Sequence, residues 1–304
     1  MLHPPAAHWL SEDTGMRTVL IHGMVMGPSF WSSFAPSIVK EGRSVAYPLP
    51  GHSPWTLHDF GGILRTEDIV DAYAQAIERD FDGEPVTLIG HSTGGFVSLL
   101  LARHRPDLVS NVILMGAFAC GRFEGQERMA SRILRLPLLG RHLFIRLFTR
   151  WISTRENFRW GSLETVFDKN VGWETEETLA TMEKVRRHLL KSNADEIAAF
   201  VSWMSRTSVF AELSQIDVPV LNIIGARDAI VPPAHQIHLS GRLPRVHTVI
   251  LDKVGHLPMA EARDKVDRLI GAFLLLGPLT PKRNYKLTDI SQAPPFASPV
   301  PRGL

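Results

Sequence analysis

The chain has 304 residues, 44% of them hydrophobic and 21% charged, with 33 Lys and Arg against 31 Asp and Glu. The resulting net charge of +2 is too small for a nucleic-acid surface, and the apolar fraction excludes a disordered chain. A single cysteine, Cys120, cannot form an intramolecular disulfide and fits a reducing compartment. Residues 1–15 carry Pro4, Pro5, Glu12 and Asp13 and hold no apolar run of signal-peptide length. No window reaches the roughly 18 apolar residues of a membrane span. A soluble, cytoplasmic protein is expected.

Residues 17–21 are the first buried-strand pattern and end at His22-Gly23. Residues 30–40 read as a helix broken at Gly42, and 44–47 as a strand running into the loop Pro48-Leu49-Pro50-Gly51-His52. Residues 66–77 have an acidic first turn and apolar positions at helical spacing. Residues 85–89 form the next strand, 96–103 a helix stopped by Pro106, and 111–115 a further strand. This alternation predicts an α/β fold, with a mostly parallel sheet covered by helices on both faces. The rhythm stops after Gly116, and 117–206 show helical patterns without a strand. It resumes with strands at 218–224 and 247–251 and a last helix at 261–276. The expected organisation is a core of 1–116 and 207–276, with a helical cap of 117–206 over the carboxyl ends of the strands. The proline-rich tail, 277–304, is expected to be extended or disordered, without an assigned role.

Between the strand at 85–89 and the helix at 96–103 stands Gly90-His91-Ser92-Thr93-Gly94-Gly95. Strand, sharp turn and helix are the context in which G-x-S-x-G presents a nucleophile. Gly90 and Gly94 let the two segments close while Ser92 takes a strained backbone, and the helix start aims its positive end at the site. A serine hydroxyl attacks only when a base takes its proton, and the base needs a group that fixes its tautomer. His256, in Gly255-His256-Leu257-Pro258, follows the last strand, and Asp228, in Gly225-Ala226-Arg227-Asp228, follows the one before it. All three residues are therefore expected within hydrogen-bonding reach at one sheet edge. Each also has an ordinary alternative: a turn serine, a loop histidine bonded to backbone, and an aspartate capping the helix that Pro232 and Pro233 begin. His22-Gly23-Met24-Val25-Met26-Gly27 ends the first strand, where the Met24 N–H, with that of Thr93, would meet a developing oxyanion. Its plain alternative is a tight strand exit. His91 is expected to pack inside the turn. His235 and His238 could share a helix face as a metal pair, but no Cys or carboxylate cluster completes it, and a surface helix explains them better. Neither a P-loop nor a dinucleotide glycine pattern is present, so no metal or other cofactor is expected.

The order Ser92, Asp228, His256, with the turn at Ser92 and the earlier His-Gly turn, resembles the α/β-hydrolase superfamily, and a serine esterase or lipase-like member with a helical cap. Trp31, Leu49-Pro50-Gly51-His52 and Gly225-x-x-Asp228-x-x-Val231-Pro232 extend the likeness over about residues 15–276. Pro48 stands where many members carry Asp, which leaves the geometry of that loop open. With Ser at the nucleophile position, likeness to dehalogenases and epoxide hydrolases extends to fold and not to reaction. Met24-Val25-Met26 is bulkier than the turn usual in the carbon–carbon bond hydrolases. The resemblance implies cofactor-independent hydrolysis of a small-molecule carboxylic ester through an acyl-enzyme. Alternatives are a thioester, lactone or carbon–carbon bond hydrolase, or a small-molecule receptor on the same fold.

Within the cap, 141–153 reads as an amphipathic helix with Leu143, Phe144, Leu147, Phe148 and Trp151 on one face. His142, Arg146, Thr149, Arg150 and Ser153 share the other. Before it, Arg128, Arg132 and Arg135 are set against Met129, Ile133 and Leu136. An apolar lid, joined by Phe158, Trp160, Phe167 and Trp203, predicts a hydrophobic acyl or aromatic substrate. The basic face predicts a weak contact with anionic membrane surfaces, a solvated face being the plain alternative. The sequence carries no sign of oligomeric state.

Overall fold

Strands that are apolar at successive positions must be covered on both faces, and here they are. The computed structural model describes residues 2–57, 63–123, 126–127, 129–171 and 174–276. The chain opens with β1 (His8–Glu12), β2 (Arg17–Ile21), the short helix α1 (Trp31–Phe34) and β3 (Arg43–Tyr47). Then come α2 (Thr66–Phe81), β4 (Val86–His91), α3 (Thr93–His104) and β5 (Val109–Met115). The helical insert begins with a small hairpin, β6 (Arg122–Phe123) and β7 (Gln126–Glu127). It continues through α4 (Met129–Leu134), α5 (Gly140–Ser153), α6 (Arg155–Ser162), α7 (Glu176–Leu190) and α8 (Ala194–Met204). The sheet resumes with β8 (Val220–Gly225), α9 (Pro233–Ser240) and β9 (Val246–Leu251), before α10 (Pro258–Glu261) and α11 (Arg263–Leu276).

Seven strands form one sheet in the order β1-β3-β2-β4-β5-β8-β9, parallel except for β1, which runs antiparallel to β3. Ile21 pairs with Gly90, His91 with Met115, and Gly225 with Leu251, so the carboxyl ends of β2, β4, β5, β8 and β9 share one rim. Side-chain alternation sorts the two faces. Val19, Ile21, Leu88 and Leu114 pack with α2 and α3, while Leu20, Ile89, Ile113 and Met115 pack with α1 and α11. Phe144, Phe148, Val185 and Leu189 of the insert extend the second layer. Helix α8 joins both, with Phe200 and Trp203 in one cluster and Ile197 and Val201 in the other.

Several elements differ from expectation for local reasons. The helix expected over 30–40 stops after one turn because Pro36 holds Ala35 extended, at ψ 142°, and a 3-10 turn, Ser37–Glu41, follows. Strand β1 had no clear signal; it is a half-exposed edge strand without strict alternation. The β6–β7 hairpin lies where no strand was expected. In α5 the buried positions are Gly140, Phe144, Phe148 and Ile152; Phe144 and Phe148 belong to the expected apolar face, while Leu143 and Leu147 are exposed, so the fully buried stripe is shifted towards Ile152. The last helix is divided at Ala262, and the tail beyond residue 276 lies outside the described residues. Among the described residues no helix is long and apolar enough to cross a membrane.

Candidate active site

Strand β4 is buried at all six positions, and its last residue, His91, hands directly to Ser92. Ser92 has φ +52° and ψ −115°, a strained setting for a side-chain-bearing residue, before α3 begins at Thr93. The neighbours hold it there. Its N–H donates to Met115 O at 2.9 Å, and its carbonyl accepts the Phe96 N–H at 3.2 Å. A Cβ at Gly90 would stand 2.5 Å from Gly95 Cα, and one at Gly94 would overlap the Ile21 carbonyl, so only glycine allows the turn to close.

Asp228 follows β8 and divides its two oxygens between two jobs. Oδ1 accepts the N–H groups of Ile230 at 2.8 Å and Val231 at 2.9 Å, the turn-capping role. Oδ2 accepts the His256 Nδ1–H at 2.8 Å and a Gln236 Nε2–H at 2.9 Å. Burial pushes the carboxyl up, but the adjoining His256 ring and the two backbone N–H donors outweigh it, and Asp228 stays below the ordinary carboxylate value. With Nδ1–H committed to Asp228, the His256 lone pair is on Nε2.

Backbone bonds on both sides set the His256 ring. Its N–H donates to Thr165 O at 2.7 Å, and its carbonyl accepts the His91 Nε2–H at 2.9 Å. The His91 and His256 rings lie 4.7 Å apart. His91, adjacent to the serine, thus packs as expected and also ties the Ser92 turn to the His256 loop. The expectation that three side chains converge is met in part. Asp228 and His256 are hydrogen-bonded, whereas Ser92 Oγ and His256 Nε2 are not hydrogen-bonded to each other. Such contacts to a nucleophile commonly tighten only when substrate binds.

The His22–Gly27 turn lies against this centre: a Cβ on Gly23 would be 2.7 Å from His91 Nδ1 and 3.2 Å from Ser92 Cβ. Among the described residues, neither the Met24 nor the Thr93 N–H has a hydrogen-bond acceptor. Val25, β-branched, sits at φ +61°, and two buried histidines brace the turn around it. Its N–H donates to His52 Nε2 at 3.4 Å, while the His52 Nδ1–H donates to Pro50 O at 3.1 Å. The Leu49 N–H donates to His22 Nε2 at 3.3 Å, and the His22 Nδ1–H donates to Gly23 O at 2.8 Å. Each ring donates once and accepts once, so each is neutral. Burial pushes His22 well below its ordinary value and His52 down to about 4. Pro48, the departure from the family pattern, offers its carbonyl to the Tyr73 hydroxyl at 2.8 Å, so the loop is anchored without an aspartate.

The profile of the Alpha/beta hydrolase family matches residues 18–269. The chain belongs to the alpha/beta hydrolase family. It is 28% identical over 243 residues to pimeloyl-[acyl-carrier protein] methyl ester esterase of Aromatoleum aromaticum, covering 79% of this chain and 90% of that protein. It is 26% identical over 280 residues to 2-hydroxy-6-oxononadienedioate/2-hydroxy-6-oxononatrienedioate hydrolase 1 of Dechloromonas aromatica, covering 88% and 90%. In fold it is similar to a thermophilic esterase from Thermogutta terrifontis, with TM-score 0.68 at 22% identity over 88% of this chain and 92% of that one.

Other parts of this alpha/beta hydrolase's site were not legible in advance. Glu261 Oε1 accepts the N–H groups of Gly255 at 2.9 Å and Leu257 at 3.4 Å, and Oε2 accepts that of Phe167 at 2.7 Å. It therefore clamps the His256 loop to the insert. Gln236 braces Asp228 while also donating to Val231 O at 2.9 Å. His235 is buried and accepts the Ala119 N–H at 3.4 Å, while His238 is exposed, so the helix that was expected to lie on the surface turns His235 inward. Among the described residues no group of three or more His, Cys, Asp or Glu could hold a metal ion. Beside the His22–Gly27 turn lies a cavity of about 340 Å³, with Met24 and Val25 on one side and Ile133, Phe144, Phe148 and Val201 on the other. Its size and apolar lining suit a small-molecule site. Of the expected aromatic lining, Trp160 is exposed and Trp203 is in the core with Phe96.

Proposed function

We propose that this alpha/beta hydrolase cleaves carboxylic esters with an apolar acyl or aromatic portion through an acyl-enzyme, in the cytoplasm and without a cofactor. The observation that carries this reading is the buried Asp228–His256 hydrogen bond of 2.8 Å at the rim where Ser92 is held in its strained turn. Ser92 Oγ attacks the ester carbonyl carbon as His256 Nε2 takes its proton. The carbonyl oxygen becomes an oxyanion facing the Met24 and Thr93 N–H groups. The tetrahedral centre collapses, the bond to the alkoxy oxygen breaks, and His256 returns the proton to the departing alcohol. Water then attacks the acyl-enzyme, gives its proton to His256, and the acid leaves as Ser92 regains its hydrogen. Asp228 holds the imidazole in its tautomer throughout and stabilises it when protonated. The insert, residues 117–206, serves as a cap between the core segments 1–116 and 207–276, and its cavity takes the acyl chain.

The methyl ester named for the Aromatoleum aromaticum relative supports an acyl ester as substrate class. A second reading keeps the same side chains but hydrolyses an unsaturated oxo-dicarboxylate, of the kind named for the Dechloromonas aromatica relative. The apolar cavity favours the ester. The test is steady-state turnover of p-nitrophenyl esters from acetyl to dodecanoyl. Turnover should rise with acyl length to a maximum beyond acetyl and fall by about a thousandfold or more in Ser92→Ala. Preference for acetyl would remove the apolar-chain assignment, and undiminished turnover in Ser92→Ala would remove the nucleophile.

A further inference from the structure

From Arg128 to Arg155 the sequence holds seven arginines and neither Asp nor Glu. Within this stretch, five residues (135–139) join α4 to α5, and the turn they make is fixed by hydrogen bonds. Leu136 N–H donates to Ile133 O at 3.0 Å, Leu139 N–H to Pro137 O at 2.7 Å, and Gly140 N–H to Leu136 O at 3.0 Å. The turn directs its leucines outward: Leu136 is 49% exposed, Leu139 70% and Leu138 95%. None of the three belongs to either core cluster. Leu138 is disfavoured twice over. Its φ of +64° suits glycine or asparagine, and its side chain is almost wholly in water. Folding does not explain a leucine there.

We propose that this tip of the insert docks on anionic lipid surfaces, the leucines entering the headgroup–acyl boundary and the surrounding arginines pairing with lipid phosphate. The charge fits: Arg132 flanks the tip on α4, and Arg146 and Arg150 are exposed on α5 without an ion-pair partner among the described residues. The exposure fits as well. An exposed apolar turn with these cations on the two helices it joins suits a deformable interface, whereas a protein partner would need a matching socket. Met129, 74% exposed on α4, also lines the apolar cavity, so the cavity opens towards this face. The docking does not depend on the ester chemistry.

Co-sedimentation of the full chain with vesicles tests it, using phosphatidylcholine alone and phosphatidylcholine mixed with phosphatidylglycerol. Binding should require the anionic lipid and fall about tenfold or more between low and high salt. The double variant Leu138→Asn, Leu139→Ser should bind at least about fivefold more weakly. Asparagine accepts the left-handed backbone, so this variant should keep its thermal unfolding midpoint and its turnover of a soluble p-nitrophenyl ester. Arg146→Glu with Arg150→Glu should also abolish anionic-vesicle binding. Absence of binding at low salt, equal binding to neutral vesicles, or indifference to the leucine substitutions would each overturn the proposal. Capture of an acidic carrier protein through the same leucines, without vesicle binding, would overturn it in favour of a protein partner.

Discussion

Asp228 could be read from sequence either as a turn aspartate or as a histidine's partner, and its two carboxylate oxygens do both. Glu261 does a comparable job for the neighbouring loop, with three backbone N–H groups converging on one carboxylate. Glu261→Ala leaves those donors without their acceptor and frees the His256 loop from the insert. We expect kcat to fall about tenfold, with KM changed by less than about threefold, because ring placement and not substrate binding is lost. Unchanged kcat per folded molecule with only a lower melting point would mean a purely structural role. The placing of Ser92, Asp228 and His256 at one rim was legible because each lies within five residues after a strand, where the topology alone fixes the rim it occupies. Glu261 and Gln236 were not, because their partners approach from other segments through tertiary packing that local pattern does not encode.

At the scale of elements, the parallel strands and α3 were legible from continuous apolar runs, while the insert was legible only as helical. Helix α5 shows why. Apolar residues also stand outside the expected stripe, at Ile145 and Ile152, so hydrophobic pattern alone cannot say which side faces the core. The packed residues turn out to be Phe144, Phe148 and Ile152, four apart, with the first two rings 6.3 Å apart and nearly parallel. Leu143 and Leu147 are more exposed, and Leu147 lines the cavity together with Trp151. Phe148 is buried and lines the cavity, so Phe148→Ala should cost about 3 kcal/mol in urea unfolding. The same change should move the preferred p-nitrophenyl ester to a longer acyl chain. An unchanged chain-length optimum would detach α5 from the acyl site.

The whole molecule carries a liability in acid. His22, His52 and His91 are buried and neutral, with His52 pushed down to about 4 and His91 to about 3, chiefly by burial. Each unfolded histidine takes up a proton below its ordinary 6.5, while the folded one does not. Stability is therefore unaffected by them above pH 6.5 and falls as pH drops from there towards their folded values. Each removes about 1.4 kcal/mol per pH unit in that window. His8, His188 and His247 are shifted in the same direction. Asp228, held below its ordinary 3.8, adds stability above that value, and this is lost as pH falls through its lower folded value. Urea unfolding at pH 8, 7 and 5 should show little change between the first two and a steep loss at the third. His52→Gln, which can keep one donor and one acceptor, should lessen that slope by about 1.4 kcal/mol per pH unit. An equal slope in the variant would place the proton uptake elsewhere.

The proposed function rests on the Ser92 hydroxyl being activated by His256 and Asp228, which the sheet brings to the same rim from later in the chain. Covalent labelling by a fluorophosphonate, read by intact mass and peptide mapping, interrogates that directly. One phosphonyl group should appear, on the peptide containing Ser92. It should be absent in Ser92→Ala and form at least about a hundredfold more slowly in His256→Ala. Labelling at another residue, or at the same rate without the imidazole of residue 256, would contradict the account.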